Sequence, residues 1–367
     1  MRPEPSTEQR ELQAAAREVL SREVDPDKLL RWESDATGFD PALGRTVADL
    51  GWIALGLPAA AGGGGADLVD VASLVEECAR GLLPRPLLGA IRSANVLAAI
   101  APDDPLLGPI GRGESRLAVA IDEIRDRDPG RFSTRLGGSP AARTVSGGKA
   151  YVPDAAEAEF HLVASRAASQ PVFVVVDRRS AGVSLQPLRT FGGDRQAHVH
   201  YRDAAVVREI ASARGGADVL DRVWRVQTAL ALAEMTGGMS AVLDMTVEYV
   251  KQREQFGQKI AIFQAVRHQV ADMGTTHTAA RHLAWQAITR IASGRERDME
   301  MTSAVAWVGQ AFKRICWAAH HLHGGAGFVV EHRLRFHSER AQSLCVRYTP
   351  EAPALREIAA ALLDAPV

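Results

Sequence analysis

Residues 247–273 read VEYVKQREQFGQKIAIFQAVRHQVADM, and this stretch decides the fold. A helix carrying Tyr249 and Arg253 runs into Gln255-Phe256-Gly257-Gln258, where Gly257 reverses the chain. Ile260 and Phe263 then open the apolar face of a second helix. Arg253 is a fixed planar cation able to pair bidentately with a phosphate or a carboxylate. Phe256 beside it is a large apolar face at a turn, suited to covering a planar ring. Taken alone, the segment is equally a helical hairpin with an exposed arginine and a core phenylalanine.

On either side the pattern is helical and long. Residues 217–250 run without a proline, and Gly237 and Gly238 inside them permit close packing rather than a break. Residues 263–291 and 299–323 give two more helices, joined by the polar SGRERDME segment. The last of these ends in HHLHGGAGFVVEHRL (320–334), where adjacent glycines let the backbone approach a ligand closely and suit a phosphate. His320 and His323 are three apart, as metal ligands can be, but no acid or cysteine at ligand spacing completes a set, so no metal is expected.

Further upstream the character changes twice. Between about residues 116 and 211, short β-branched runs (117–121, 160–164, 171–177, 198–201) predict a small antiparallel β-domain. Asp128-Pro129-Gly130, Gly137-Gly138, Gly147-Gly148 and Gly192-Gly193-Asp194 are the expected turns between them. Residues 1–115 read as helical again, interrupted at Pro26, with an apolar stripe of Leu43, Val47, Leu50 and Trp52. A helix over 66–82 is expected to stop at Pro84 and Pro86. The run Gly62–Gly65 lacks the Lys-Ser/Thr of a phosphate-binding loop and follows no strand, so it reads as a plain loop. The boundaries are therefore 1–115 helical, 116–211 β and 212–367 helical, an α+β multidomain chain.

Composition removes several function classes. With 43 Lys+Arg against 44 Asp+Glu, the 367-residue chain has a formal net charge of −1 and no basic block to hold nucleic acid. At 46% hydrophobic and 24% charged it is ordinary for a globular protein. No apolar stretch is long enough for a membrane span, and the polar N-terminus predicts no signal peptide. Cys78, Cys316 and Cys345 are few, odd in number and far apart, which suits a reducing cytoplasm.

Taken together, REQFG…FQ…ADM and HGGAGF…EH resemble the C-terminal domain of the acyl-CoA dehydrogenase family. LGWIALGLPAAAGGGGADLVDVASLVEECARGLLPRPLL (50–88) is similar to its N-terminal helical domain, and 145–165 with 173–206 look like its middle β-domain. The resemblance implies a C-terminal four-helix bundle, FAD as cofactor, an acyl-CoA substrate and an electron-transfer flavoprotein as acceptor. It also implies a homo-oligomer or a heterotetramer, because neighbouring subunits share each FAD. By position, Arg253 would reach the diphosphate of a neighbour's FAD, with Gln255 and Phe256 beside it. Ile260, Phe263 and Gln264 would line the adenosine region, and Gly324 and Gly325 would lie against the diphosphate. His321 stands where a glutamine commonly bonds it.

The chain departs from the family where the chemistry happens. Members take the α-proton of the thioester with a Glu in a Tyr-Glu-Gly-Thr-like motif, or with an acid on the helix before the QFG turn. The first region here reads VRYTPEAPAL (346–355), and the second position falls near Gln227. Glu351 is the weak candidate for a displaced base; its other reading is a solvated Glu at the start of a last helix over 352–363. Glu234, two turns beyond Gln227, reads as an interior or interhelical acid. In the middle domain the Gly-Ser-Asp loop is lost, and Tyr151 and Val152 stand near the place of a ring-covering Trp. GFVVEHRLRFHSERA (327–341) looks like the branch that, in actinobacteria, forms α2β2 heterotetramers acting on bulky acyl-CoAs such as steroid side chains. The family therefore implies α,β-dehydrogenation of an acyl-CoA thioester, with three roles open: an enzyme using a displaced acid, a catalytically silent partner subunit, or a repurposed flavin-dependent oxidase.

Overall fold

Ser6 caps the first helix through a reciprocal pair with Gln9, and the capping pattern repeats at Asp40 and Asp67, whose carboxylates accept backbone N–H groups of the following turn. These caps set the helices of the amino-terminal third. They are α1 (Thr7–Glu23), α2 (Pro26–Ser34), α3 (Pro41–Asp49), α4 (Leu68–Arg80), α5 (Arg85–Ile100) and α6 (Leu107–Gly111). The computed structural model describes residues 5–35, 37–124, 131–168, 170–192, 194–210, 215–295 and 299–363. Asp128-Pro129-Gly130 lies outside the described residues.

Pro26 opens α2, and Pro84 and Pro86 stand at the start of α5. Each is placed where a missing N–H costs nothing. The glycine run is packed loop: a Cβ on Gly63 would lie 2.1 Å from the Leu57 carbonyl oxygen and one on Gly64 2.8 Å from that of Leu55.

Strands fill the middle: β1 (Leu117–Ala120), β2 (Arg135–Ser139), β3 (Ala142–Pro153), β4 (Phe160–Ala167), β5 (Gln170–Asp177), β6 (Val183–Leu188) and β7 (Gln196–Ile210). Strands β4, β2, β3, β7 and β5 pair in that order, and β5 returns to β4, so the sheet closes on itself; β1 lies along the start of β4 on the edge that β2 meets further on, and β6 pairs β7. Most pairings are antiparallel; β1–β4 and the short β2–β4 contact are parallel. Inside sit Val145, Val163, Val174, Val176, Val199 and Tyr201. The Gly137-Gly138 and Gly147-Gly148 pairs are not turns, as expected, but strand residues of β2 and β3; the turn is Pro140-Ala141. Gly147, at φ +147°, is needed because a Cβ there would lie 2.4 Å from the Thr134 Cα.

The remaining elements are α7 (Gly216–Gln252), β8 (Glu254–Gln255), β9 (Gln258–Lys259), α8 (Gln264–Ala292), α9 (Met299–His323), α10 (Arg333–Tyr348) and α11 (Glu351–Leu363). By contacts the chain divides into two compact units. One holds the chain to Ser34, Asp67–Leu83 and everything from Gln227; the other holds Asp35–Ala66 and Pro84–Val226. In the first unit α7 to α10 make the bundle, with α11 on α9 and α4 against α7 and α8. Gly237 and Gly238 let α7 come close: added Cβ atoms would strike the Glu76 carbonyl oxygen at 1.8 Å and the Phe312 ring at 2.3 Å. Among the described residues no helix is long and apolar enough to cross a membrane.

Candidate functional site

At one end of the bundle α7 gives way to a two-stranded hairpin. Glu254 pairs with Lys259 and Gln255 with Gln258, closed by Phe256 (φ +54°) and Gly257 (φ +76°). Two successive left-handed residues are what the tight hairpin turn demands; glycine takes that conformation freely, a phenylalanine does not. The Phe256 ring stands out in solvent, 91% exposed, with the Phe263 ring edge-on to it at 6.0 Å between centroids. Lys259 bonds back to Glu254 at 2.6 Å and the Ile260 N–H to the Arg253 carbonyl at 2.9 Å. The Arg253 guanidinium is exposed and makes no hydrogen bond or ion pair among the described residues. Ile260 and Phe263 are half-buried, Gln264 exposed as the first residue of α8, and Gln255 exposed with its amide on the Glu254 carbonyl.

The end of α9 lies beside this hairpin. Tyr249, one helical turn before Arg253, donates its hydroxyl to the His323 carbonyl at 3.1 Å and stacks its ring on the His323 imidazole at 4.3 Å. From α8, Gln269 bonds His321 at 2.9 Å. Gly324 leaves the helix at φ +57°, and an added Cβ at Gly324 or Gly325 would meet nothing within 4 Å. Their outer side is therefore open to a ligand. Phe328, 71% exposed, with Val329 and Val330 continues the surface as an apolar rim.

Beneath the turn lie three imidazoles. The His323 Nδ1 bonds the Ala319 carbonyl at 2.8 Å, and His320 bonds the Ser338 hydroxyl at 2.7 Å while stacking on Phe328. His332 caps α10 through the Leu334 N–H. Burial pushes all three below the usual histidine range, and for His320 and His332 the neighbouring imidazoles add to it. Among the described residues no group of three or more His, Cys, Asp or Glu could hold a metal ion.

This end of the bundle can do one thing well. It offers an unpaired guanidinium, an exposed aromatic face and an open glycine backbone within a few side chains of each other, the donor set for a phosphate joined to a planar ring. Residues 6–101 match the profile of the acyl-CoA dehydrogenase N-terminal domain and residues 216–346 that of the acyl-CoA dehydrogenase C-terminal domain. The chain belongs to the acyl-CoA dehydrogenase family. Acyl-CoA dehydrogenase IpdE2 of Mycobacterium tuberculosis is 26% identical over 99% of both chains. A Tcur3481-Tcur3483 steroid ACAD variant superposes with a TM-score of 0.89 at 26% identity, covering 97% of this chain and 98% of that one. The ChsE4-ChsE5 complex of Mycobacterium tuberculosis shares the fold, with a TM-score of 0.88 at 24% identity over 99% of both chains. FAD is the family's cofactor, and the open Gly324-Gly325 backbone beside unpaired Arg253 fits its diphosphate.

The acids are placed differently. Glu351 is the first residue of α11 and exposed. Gln227 is half-buried on α7. Glu234 is buried within electrostatic reach of Arg340, whose guanidinium donates to the Leu83 carbonyl at 2.8 Å. Burial pulls Arg340 down to about 10, against the opposing pull of Glu234. In the other unit Tyr151 stands out from a register break in β3 at φ +54°, edge-on to His198, while Val152 points inward.

Sequence reasoning passed over two features. Glu123 is buried, accepting the Ser133 and Thr134 N–H groups, the Ser133 hydroxyl and the Lys149 ammonium. Burial opposes its charge, but these donors outweigh burial and hold it well below the usual carboxylate range. Lys149 is fully buried over the Phe132 ring, and desolvation draws its pKa down. The second feature is a polar cleft of about 410 Å³ around His277. Its charges are spent on each other: Arg281 on Glu76 at 2.9 Å, Arg17 on Glu77 at 2.8 Å, and Ser240 on His277 at 2.9 Å. Neither feature has a short-range sequence signal, since each joins residues from separate elements.

Proposed function

We propose that this chain is the catalytically silent subunit of a heterotetrameric, FAD-dependent acyl-CoA dehydrogenase, completing the cofactor site of a dissimilar, Glu-bearing subunit. The observation that carries the reading is the contrast at the bundle. The end that would meet a neighbour's FAD is fully equipped, while the acids on offer are an exposed Glu351 and a Glu234 held near Arg340. The 26% identity to a steroid ACAD assembled from two named chains supports the same reading. When bound, FAD supplies the hydride acceptor, and the other subunit's carboxylate takes the α-proton of the thioester. On this chain, Arg253 neutralises the diphosphate, Gly324 and Gly325 let it approach, and Phe256 shields it from water. Gln255 flanks the cofactor beside Arg253, His321 bonds the diphosphate, and Ile260, Phe263 and Gln264 border the adenosine end. The substrate class is a bulky acyl-CoA such as a steroid side-chain thioester, and electrons pass to an electron-transfer flavoprotein in the cytoplasm.

The visible spectrum of the purified chain tests this. Expressed alone it should be colourless, gaining flavin only when co-expressed with a dissimilar family member. A flavin spectrum in the lone chain that added acyl-CoA bleaches in the wild type but not in Glu351→Gln would instead make it a self-sufficient dehydrogenase with Glu351 as base.

A further inference from the structure

The two parts of the cofactor-facing end come from different helices, and something must hold them in register. Arg253 follows α7, whereas Gly324 and Gly325 follow α9. Tyr249 touches both. Its carbonyl accepts the Arg253 N–H at 2.8 Å, its hydroxyl donates to the His323 carbonyl at 3.1 Å, and its ring lies on the His323 imidazole at an interplanar angle of 23°.

The bonded carbonyl is the informative one. The last carbonyls of a helix have no N–H partner within it, so their orientation is set by whatever else they bond. The His323 carbonyl shares a rigid planar unit with the Gly324 N–H. Holding that oxygen therefore fixes the plane in which the chain turns into Gly324 at φ +57°. The His323 side chain is in turn fixed by the Ala319 carbonyl on its Nδ1, and its ring is edge-on to His332 at 5.1 Å. Among the described residues its buried Nε2 has no hydrogen-bond partner. That atom is consistent with a bare acceptor, so the ring serves as a neutral stacking surface for Tyr249.

We propose that Tyr249 is a positioning residue for FAD, clamping the Gly324-Gly325 turn at a fixed distance from Arg253 so that both reach one diphosphate. The proposal rests on the reading that this end of the bundle meets FAD.

Tyr249→Phe keeps the ring stack and removes the hydroxyl alone, so the fold is preserved; Tyr249→Leu removes both. Two quantities are read on the full chain, alone and co-expressed with a dissimilar family member: hydrogen exchange of the segment 324–328, and FAD affinity from flavin fluorescence. Loss of one neutral hydrogen bond should speed exchange in that segment and weaken FAD binding by about 2- to 10-fold each, with the folding equilibrium measured in urea falling by no more than that factor. Tyr249→Leu should go further on both. Unchanged exchange in Tyr249→Phe, or faster exchange with wild-type FAD affinity, overturns the clamp. Arg253→Ala separates the two ideas. If that variant binds FAD as wild type does, or if no form takes up FAD, the functional reading fails and the role toward FAD fails with it; exchange would then report only whether Tyr249 holds the turn. If Arg253→Ala loses FAD and Tyr249→Phe does not, the clamp alone fails.

Discussion

Replacing Gly237 by alanine should force α7 away from α4. The added Cβ would lie 1.8 Å from the Glu76 carbonyl oxygen, 2.8 Å from the Glu76 carbonyl carbon and 3.1 Å from the Arg80 nitrogen. All three are α4 backbone, so no side-chain rotation relieves them. A carbon rests against a carbonyl oxygen at about 3.3 Å, so α4 and α7 must part by roughly 1.5 Å. Overpacking of this kind costs on the order of 1–3 kcal/mol, and with backbone on the receiving side the upper end applies. Alanine returns about 1 kcal/mol of helix propensity, leaving a net loss of about 2 kcal/mol. The control is Gly274→Ala on α8, where the new methyl meets nothing within 4 Å and should stabilise by up to about 1 kcal/mol. Urea midpoints at unchanged m-value measure both. A Gly237→Ala protein as stable as wild type would refute the crossing.

Four other perturbations have defined signs. Lys149→Met leaves Glu123 with three donors from Ser133 and Thr134, so it should cost about 1–3 kcal/mol. Glu123→Leu strands the buried Lys149 and two N–H groups and should cost about 3–5 kcal/mol; equal losses in urea would contradict the geometry. Phe256→Gly should stabilise the chain by about 1 kcal/mol by relieving the left-handed backbone while abolishing FAD binding, and a destabilised variant would show that the turn carries no strain. His337 is fully buried and burial holds it neutral, with Arg340 and Arg333 adding to the effect. An unfolded chain takes up that proton where the folded one does not. Stability is thus full above the ordinary histidine pKa of about 6.5 and falls by up to about 1.4 kcal/mol per pH unit below it. His337→Leu should flatten the urea midpoint's dependence on pH between 5 and 6.5 by that one-proton slope; an unaltered slope would mean the imidazole is charged in the fold.

Much of this was legible in the sequence because local chemistry sets it. The three long helices fall within two residues of the expected limits, since proline-free apolar periodicity and the Gly257 and Gly324 reversals mark their ends. The β region was read less well. Gly137, Gly138, Gly147 and Gly148 carry the turn signature, yet they sit in strands because close neighbours, not chain reversal, require them. β7 runs from Gln196 to Ile210, far beyond the four-residue run that marked it, because it is paired with β3, β5 and β6 together. α10 was not separated from the motif that named the family. At the site, Arg253, Phe256 and the paired glycines were visible from residue type and spacing. The Tyr249–His323 link was not, because it joins residues 74 apart.

The closed sheet has one more consequence, for what may join the molecule. Closure leaves β6, paired with β7, outside the ring. β1 is four buried residues against which α5 packs, and β6 presents Pro187, which has no N–H to offer. A strand arriving from another chain therefore meets an edge short of one backbone donor at β6. In a crowded cell this tilts association away from backbone pairing, which any polypeptide can match, and toward particular side chains.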